Sequence, residues 1–153
     1  MDINITYTAS HTDYKYNDGG RSKYFRMRYK KDITGDCVIR AISIALDLDY
    51  KFVWESLFEI GKNIGHLPCD KRTFEKFLID NRWIKQKTLT INNNRKYQLH
   101  DYPVKNCIVH TRRHLVAIKN GVVNDTWDSR NKYAYSYYTE VPRDFSLEES
   151  KWI

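Results

Sequence analysis

The stretch HLVAIKNGVVNDTWD, His114–Asp128, carries its own geometry. Two runs rich in β-branched residues flank Asn120-Gly121, and Asn-Gly is the pair favoured in a two-residue type I′ turn, where both positions need positive φ. Lys119 then faces Val122, and counting outward sets His114 opposite Trp127. Because side chains alternate across a strand, His114, Val116, Ile118, Val123, Asp125 and Trp127 share one face. Leu115, Ala117, Val122, Asn124, Thr126 and Asp128 share the other. His114 and Asp125 become diagonal neighbours, a separation that an imidazole and a carboxylate can bridge. Asn124 is expected to point away from that pair.

The same texture continues on both sides, in WIKQKTLTI from Trp83, in CIVHT from Cys107 and in YAYSYYTEV from Tyr133, so a sheet is expected over the C-terminal half. The polar NNNRKYQLHDYPVK between them reads as a surface loop edging a cleft. Upstream the period changes to that of helices. Cys37 to Leu46 is apolar nearly all round, with Arg40, Ser43 and Asp47 as its polar stripe, which predicts a buried central helix. Asp49 suits the N-cap of a second helix, with Val53, Trp54, Leu57 and Phe58 inward and Gly61 near its stop. Asp70 caps a third, with Phe74, Phe77 and Leu78 inward.

Nearer the N-terminus, NDGG predicts a turn flanked by short strands. In KYFRMRYKK, alternation puts Phe25, Met27 and Tyr29 on one strand face and Arg26, Arg28 and Lys30 on the other, a basic strip suited to an acidic partner. The whole is one α+β domain over residues 1–153, with N-terminal strands in 1–31, a helical part in 34–82 and a sheet part in 83–141. The helices are expected to pack on an antiparallel sheet.

Composition narrows the classes. Hydrophobic residues at 41% exclude a disordered chain, and 26 Lys and Arg against 19 Asp and Glu favour acidic partners, nucleic acid among them. Cys37, Cys69 and Cys107 show no paired framework and, with the histidines, no zinc-finger spacing, so a reducing cytoplasmic setting and no metal are expected. No basic leader and no long apolar run is present, so no membrane partner is expected.

The chemistry centres on TGDCVIRAIS, Thr34–Ser43. Cys37 opens the central helix, where free backbone N–H groups and the helix dipole favour a thiolate. His114 is the candidate base, Asp125 its orienting carboxylate and Trp127 the shield of that pair. Asp36 is given structural work: capping the helix, or pairing with Arg40 one turn on.

Cysteine at the start of a central helix, histidine opening a strand and Asp125-Thr126-Trp127 on the next strand resemble the papain-like cysteine peptidase superfamily. Its third motif typically reads Asn-Ser-Trp, with aspartate for asparagine in some branches. TGDCVIRAIS is also similar to the nucleophile motif of ovarian-tumour-type deubiquitinases, Asp-Gly-Asn-Cys followed by Leu-Phe-Arg-Ala; Gly35, Cys37, Arg40 and Ala41 match, and Thr34 and Asp36 depart. The resemblance covers Thr34 to Asp128. It implies a papain-like fold, a Cys37-His114-Asp125 triad, a protein or peptide substrate and no cofactor. The upstream Gln or Asn of papain relatives is missing, which leaves the Cys37 N–H and the Thr34 hydroxyl as oxyanion donors. The expected activity is thiol-dependent hydrolysis of a peptide, isopeptide or side-chain amide. The alternative is a non-catalytic basic module binding nucleic acid or an acidic protein.

Overall fold

The structure is a computed structural model that describes residues 12–26, 35–92, 94–144 and 146–147. Met27, Arg28, Tyr29, Lys30 and Thr34 lie outside the described residues. Strands β1 (Asp13–Tyr16), β2 (Trp83–Gln86), β5 (Cys107–Thr111), β6 (His114–Lys119), β7 (Val122–Asp125) and β8 (Tyr137–Glu140) form one six-stranded sheet in the order β1-β7-β6-β5-β8-β2. A small hairpin, β3 (Thr90–Ile91) with β4 (Arg95–Lys96), stands apart. Helices α1 (Cys37–Leu46), α2 (Tyr50–Ile64) and α3 (Lys71–Asp80) cover one face of the sheet. No helix among the described residues is long and apolar enough to cross a membrane.

The hairpin register is the one the Asn-Gly turn dictates: Lys119 pairs with Val122, with Asn120 at φ 52 and Gly121 at φ 74. Helix α1 begins at Cys37 and runs along β6 in the same direction, since Lys119 at the far end of the strand reaches the Ile44 carbonyl at 3.1 Å. Val38, Ile39, Ala41, Ile42 and Ile44 are buried against Leu115, Ala117 and Ile108, so an apolar sequence all round becomes a helix enclosed all round.

The sheet is mixed, and the expected antiparallel sheet is corrected on that point. β1 joins β7 in parallel, Asp13 opposite Val122 and Tyr16 opposite Asp125. The cause lies in the NDGG turn, which is a turn but no hairpin. Asp18 accepts from the Gly20 N–H at 2.9 Å and the Ser22 N–H at 3.0 Å, so its carboxylate caps a 3₁₀ turn at Arg21–Lys23 where a strand was expected. With no return strand beside it, β1 is free to pair with β7. Tyr24 to Arg26 are likewise turn and coil, so the strand expected over KYFRMRYKK is absent from its described part.

Two further readings are revised. Gly61 does lie near the stop of α2, which ends at Ile64 with Gly65 at φ 76 as its cap; Gly61 is glycine because a Cβ there would lie 2.3 Å from the His66 carbonyl oxygen. Val53 and Leu57 are buried as expected, but Phe58 is 50% exposed and stacks on Trp54 with ring centroids 6.0 Å apart. The polar stretch after β3 is more than an edge to a cleft: Leu99 and Tyr102 within it are buried on the second face of the sheet, against Cys107, Val109, Val116, Ile118 and Val123.

Candidate active site

Three elements converge at one end of the sheet. α1 contributes its first residue, β6 its first and β7 its last, so Cys37, His114 and Asp125 meet where the parallel course of α1 and β6 begins. Gly35 enters the helix at φ 65, a backbone setting that glycine adopts without strain.

His114 Nε2 lies 2.6 Å from Asp125 Oδ2. A carboxylate only accepts, so Nε2 carries the proton and the other ring nitrogen is left for the Cys37 thiol, with which the ring is hydrogen-bonded. Asp125 is buried and fully engaged: it also accepts from Ser129 Oγ at 2.8 Å, the Thr126 N–H at 2.8 Å and Arg40 Nη2 at 3.4 Å. Trp127 covers the imidazole with its ring centroid 5.1 Å away, while 43% of its own surface stays open to water. Asn124 turns the other way and accepts from Asn17 Nδ2 at 3.1 Å.

Asp36 stands at the N-cap position without capping, and makes instead the second bond expected of it, to Arg40. The Tyr50 hydroxyl donates to it at 2.6 Å and Arg21 Nη1 at 3.4 Å. Burial and the neighbouring Asp36 push the Tyr50 phenol well up, so it remains a donor. The Asp36 charge beside the thiol is therefore held by two guanidinium groups, and Arg40 bridges Asp36 to Asp125 through the interior.

The protonation states follow from these neighbours. Burial alone would raise the Cys37 thiol; the bond to His114, the Leu115 backbone N–H and the positive charges of His114 and Arg40 outweigh it, and its pKa falls below that of an ordinary thiol. Burial opposes charge on His114, but Asp125 and Cys37 outweigh it and lift the ring to about 9. Burial pushes Asp125 up as well, and the bonds and charge of His114, with Ser129 and Thr126, carry it below the usual carboxylate range. All three shifts favour the thiolate–imidazolium pair backed by a carboxylate: Cys37 is lowered, His114 raised and Asp125 lowered. The other two cysteines go the opposite way: burial and the nearby Cys37 and Asp36 raise Cys69 to about 11, and burial raises Cys107.

Of the sequence candidates, Cys37, His114, Asp125 and Trp127 come together. Arg26 is exposed, whereas Arg28, Lys30 and the oxyanion candidate Thr34 are outside the described residues. Arg21, Tyr50, Ser129 and the bridging role of Arg40 were missed. Only Arg40 left a signal, as a lone cation one turn after Asp36 in an apolar helix. No family model, no curated protein and no solved structure matches this chain. The chemistry of the site is read from its own geometry.

Proposed function

We propose that the chain is a cysteine-dependent acyl-transfer enzyme of papain-like design that hydrolyses a peptide, isopeptide or side-chain amide. One observation carries the reading: the cysteine with the lowered pKa faces an imidazole whose far nitrogen is fixed 2.6 Å from a buried carboxylate. The Cys37 thiolate attacks the amide carbonyl carbon, and a C–S bond forms as the carbonyl π pair moves to oxygen. As that pair returns, the C–N bond breaks and the His114 imidazolium gives its proton to the leaving amine. Water, deprotonated by His114, then attacks the thioester, releasing the acid and returning sulfur to the thiolate. Asp125 keeps the imidazole in one tautomer and stabilises its cation throughout. Three free cysteines suit a compartment that keeps thiols reduced.

An activated ester tests this without knowledge of the substrate. With p-nitrophenyl acetate, the wild type is expected to release a burst of nitrophenol and carry an acetyl group on Cys37, seen by peptide mass spectrometry; Cys37→Ala should give neither. Acetylation spread equally over Cys37 and Cys69, or no burst, would contradict the proposal.

A further inference from the structure

Beside the site runs a groove of about 700 Å³, lined among others by Lys85, Lys87, His110, Arg112, Arg113 and Tyr135. It adjoins the candidate residues through the backbone of β5 and β6. His110 is the cross-strand partner of Leu115, whose N–H reaches the Cys37 thiol, and Arg112-Arg113 is the turn that links Thr111 to His114.

No acidic residue lines the groove among those described. Behind it stands Glu75, 4.0 Å from Lys71 and 3.9 Å from Lys85, with an oxygen also taken by the Tyr138 hydroxyl at 2.7 Å. One carboxylate thus serves two ammonium groups, while Lys87, Arg112 and Arg113 have no carboxylate in ion-pair range among the described residues. The excess of positive charge registers on its neighbours: Lys71 and burial lower Lys85, and burial, Lys71 and Lys85 lower His110. Such a cleft, lined by one sign of charge, concentrates ligands of the other sign.

We infer that this groove holds an acidic stretch of the polypeptide substrate next to the amide presented to Cys37, an inference that rests on the acyl-transfer reading. A polypeptide is favoured over single-stranded nucleic acid because binding of the latter uses open aromatic faces as stacking platforms. Of the two rings that line the groove, Tyr135 already has Lys96 Nζ 5.0 Å over it, and His110 is partly buried.

The test uses the full chain and two chloroacetyl peptides of equal length, one rich in Glu and one rich in Lys. The rate of Cys37 alkylation by each is divided by the rate with neutral iodoacetamide. At low salt the acidic probe is expected to lead by about tenfold or more. The lead should shrink as salt is added and in Arg112→Gln/Arg113→Gln, with the exposed Lys87→Gln as a second variant that leaves the turn intact. Equal rates on a reactive Cys37, or a lead that survives in both variants, would overturn the groove alone. Tighter binding of an oligothymidylate than of the Glu-rich peptide, lost in the same variants, would reassign it to nucleic acid. If iodoacetamide does not distinguish Cys37 from Cys69, the catalytic reading fails and the substrate claim falls with it.

Discussion

Helix α1 and strand β6 run side by side, and their two ends put the same electrostatics to different uses. At the far end Lys119 sits on the last turn of α1, bonded to the Ile44 carbonyl and to Asp47, a cation where the helix dipole is negative. At the near end Cys37 sits on the first turn, a thiol with its pKa lowered where the dipole is positive, and His114 faces it. The far pair is wet, with the Asp47 side chain 79% exposed. The near pair is enclosed and backed by Asp125, Arg40 and Asp36, the two carboxylates being buried. A dipole and a counter-ion therefore make an ordinary surface ion pair at one end. At the other, the bond between Cys37 and His114, with Asp125 and Arg40 behind it, outweighs the desolvation that opposes both charges.

The sharpest way to break this contrast is at the near end. Cys37→Ala or His114→Ala is expected to lower ester turnover by on the order of 10⁶-fold, as loss of a nucleophile or its base does in a triad, while the melting temperature stays within a few degrees. Asp36→Ala should act through stability: it leaves Arg40 buried without its nearest carboxylate, and loss of one member of a buried ion pair costs about 3–5 kcal/mol. Chemical denaturation measures it, and a cost under about 1 kcal/mol, the level of a surface pair, would show that the network is not dry.

At the far end effects should shrink and leave turnover alone. Gly121→Ala places a Cβ on a residue at φ 74 and should cost about 1–2 kcal/mol. Lys119→Ala removes a pair whose carboxylate is mostly in water and should cost about 0.2–1 kcal/mol, less in high salt. If either variant slowed ester turnover at unchanged stability, the two ends would not be independent.

What could be read from the residues follows from the range of the forces involved. The Asn120-Gly121 turn fixes its register locally, and that register alone carried His114 to Asp125; the apolar run from Cys37 to Leu46 fixed α1 in the same way. Asn17 to Gly20 was recognisable as a turn, but whether the chain continued as strand or 3₁₀ turn depended on the Asp18 carboxylate reaching two backbone N–H groups. The parallel pairing of β1 with β7, the cover supplied by Leu99 and Tyr102, and the reach of Arg40 to Asp125 join residues far apart in the chain. No periodicity records such contacts. Phe58 was misplaced because spacing shows which residues share a helix face, and not where that face meets solvent.

The paired titration gives the last prediction its sign. The folded His114 has its pKa raised to about 9, so its contribution to stability is full below 6.5, its ordinary value, and is lost as pH rises through about 9. The folded Cys37 has its pKa lowered, so its contribution is full above the ordinary thiol value and is lost as pH falls through the folded one. Between those limits the ion pair exists. The most direct measurement is the rate of Cys37 alkylation by iodoacetamide against pH, followed by mass spectrometry in the wild type and in His114→Ala. The thiolate–imidazolium account predicts fast alkylation well below the ~8.5 of an ordinary thiol, with Cys69 and Cys107 lagging, and a midpoint that moves up once the imidazole is removed. A Cys37 profile that coincides with that of Cys69, or that does not change in His114→Ala, would contradict it.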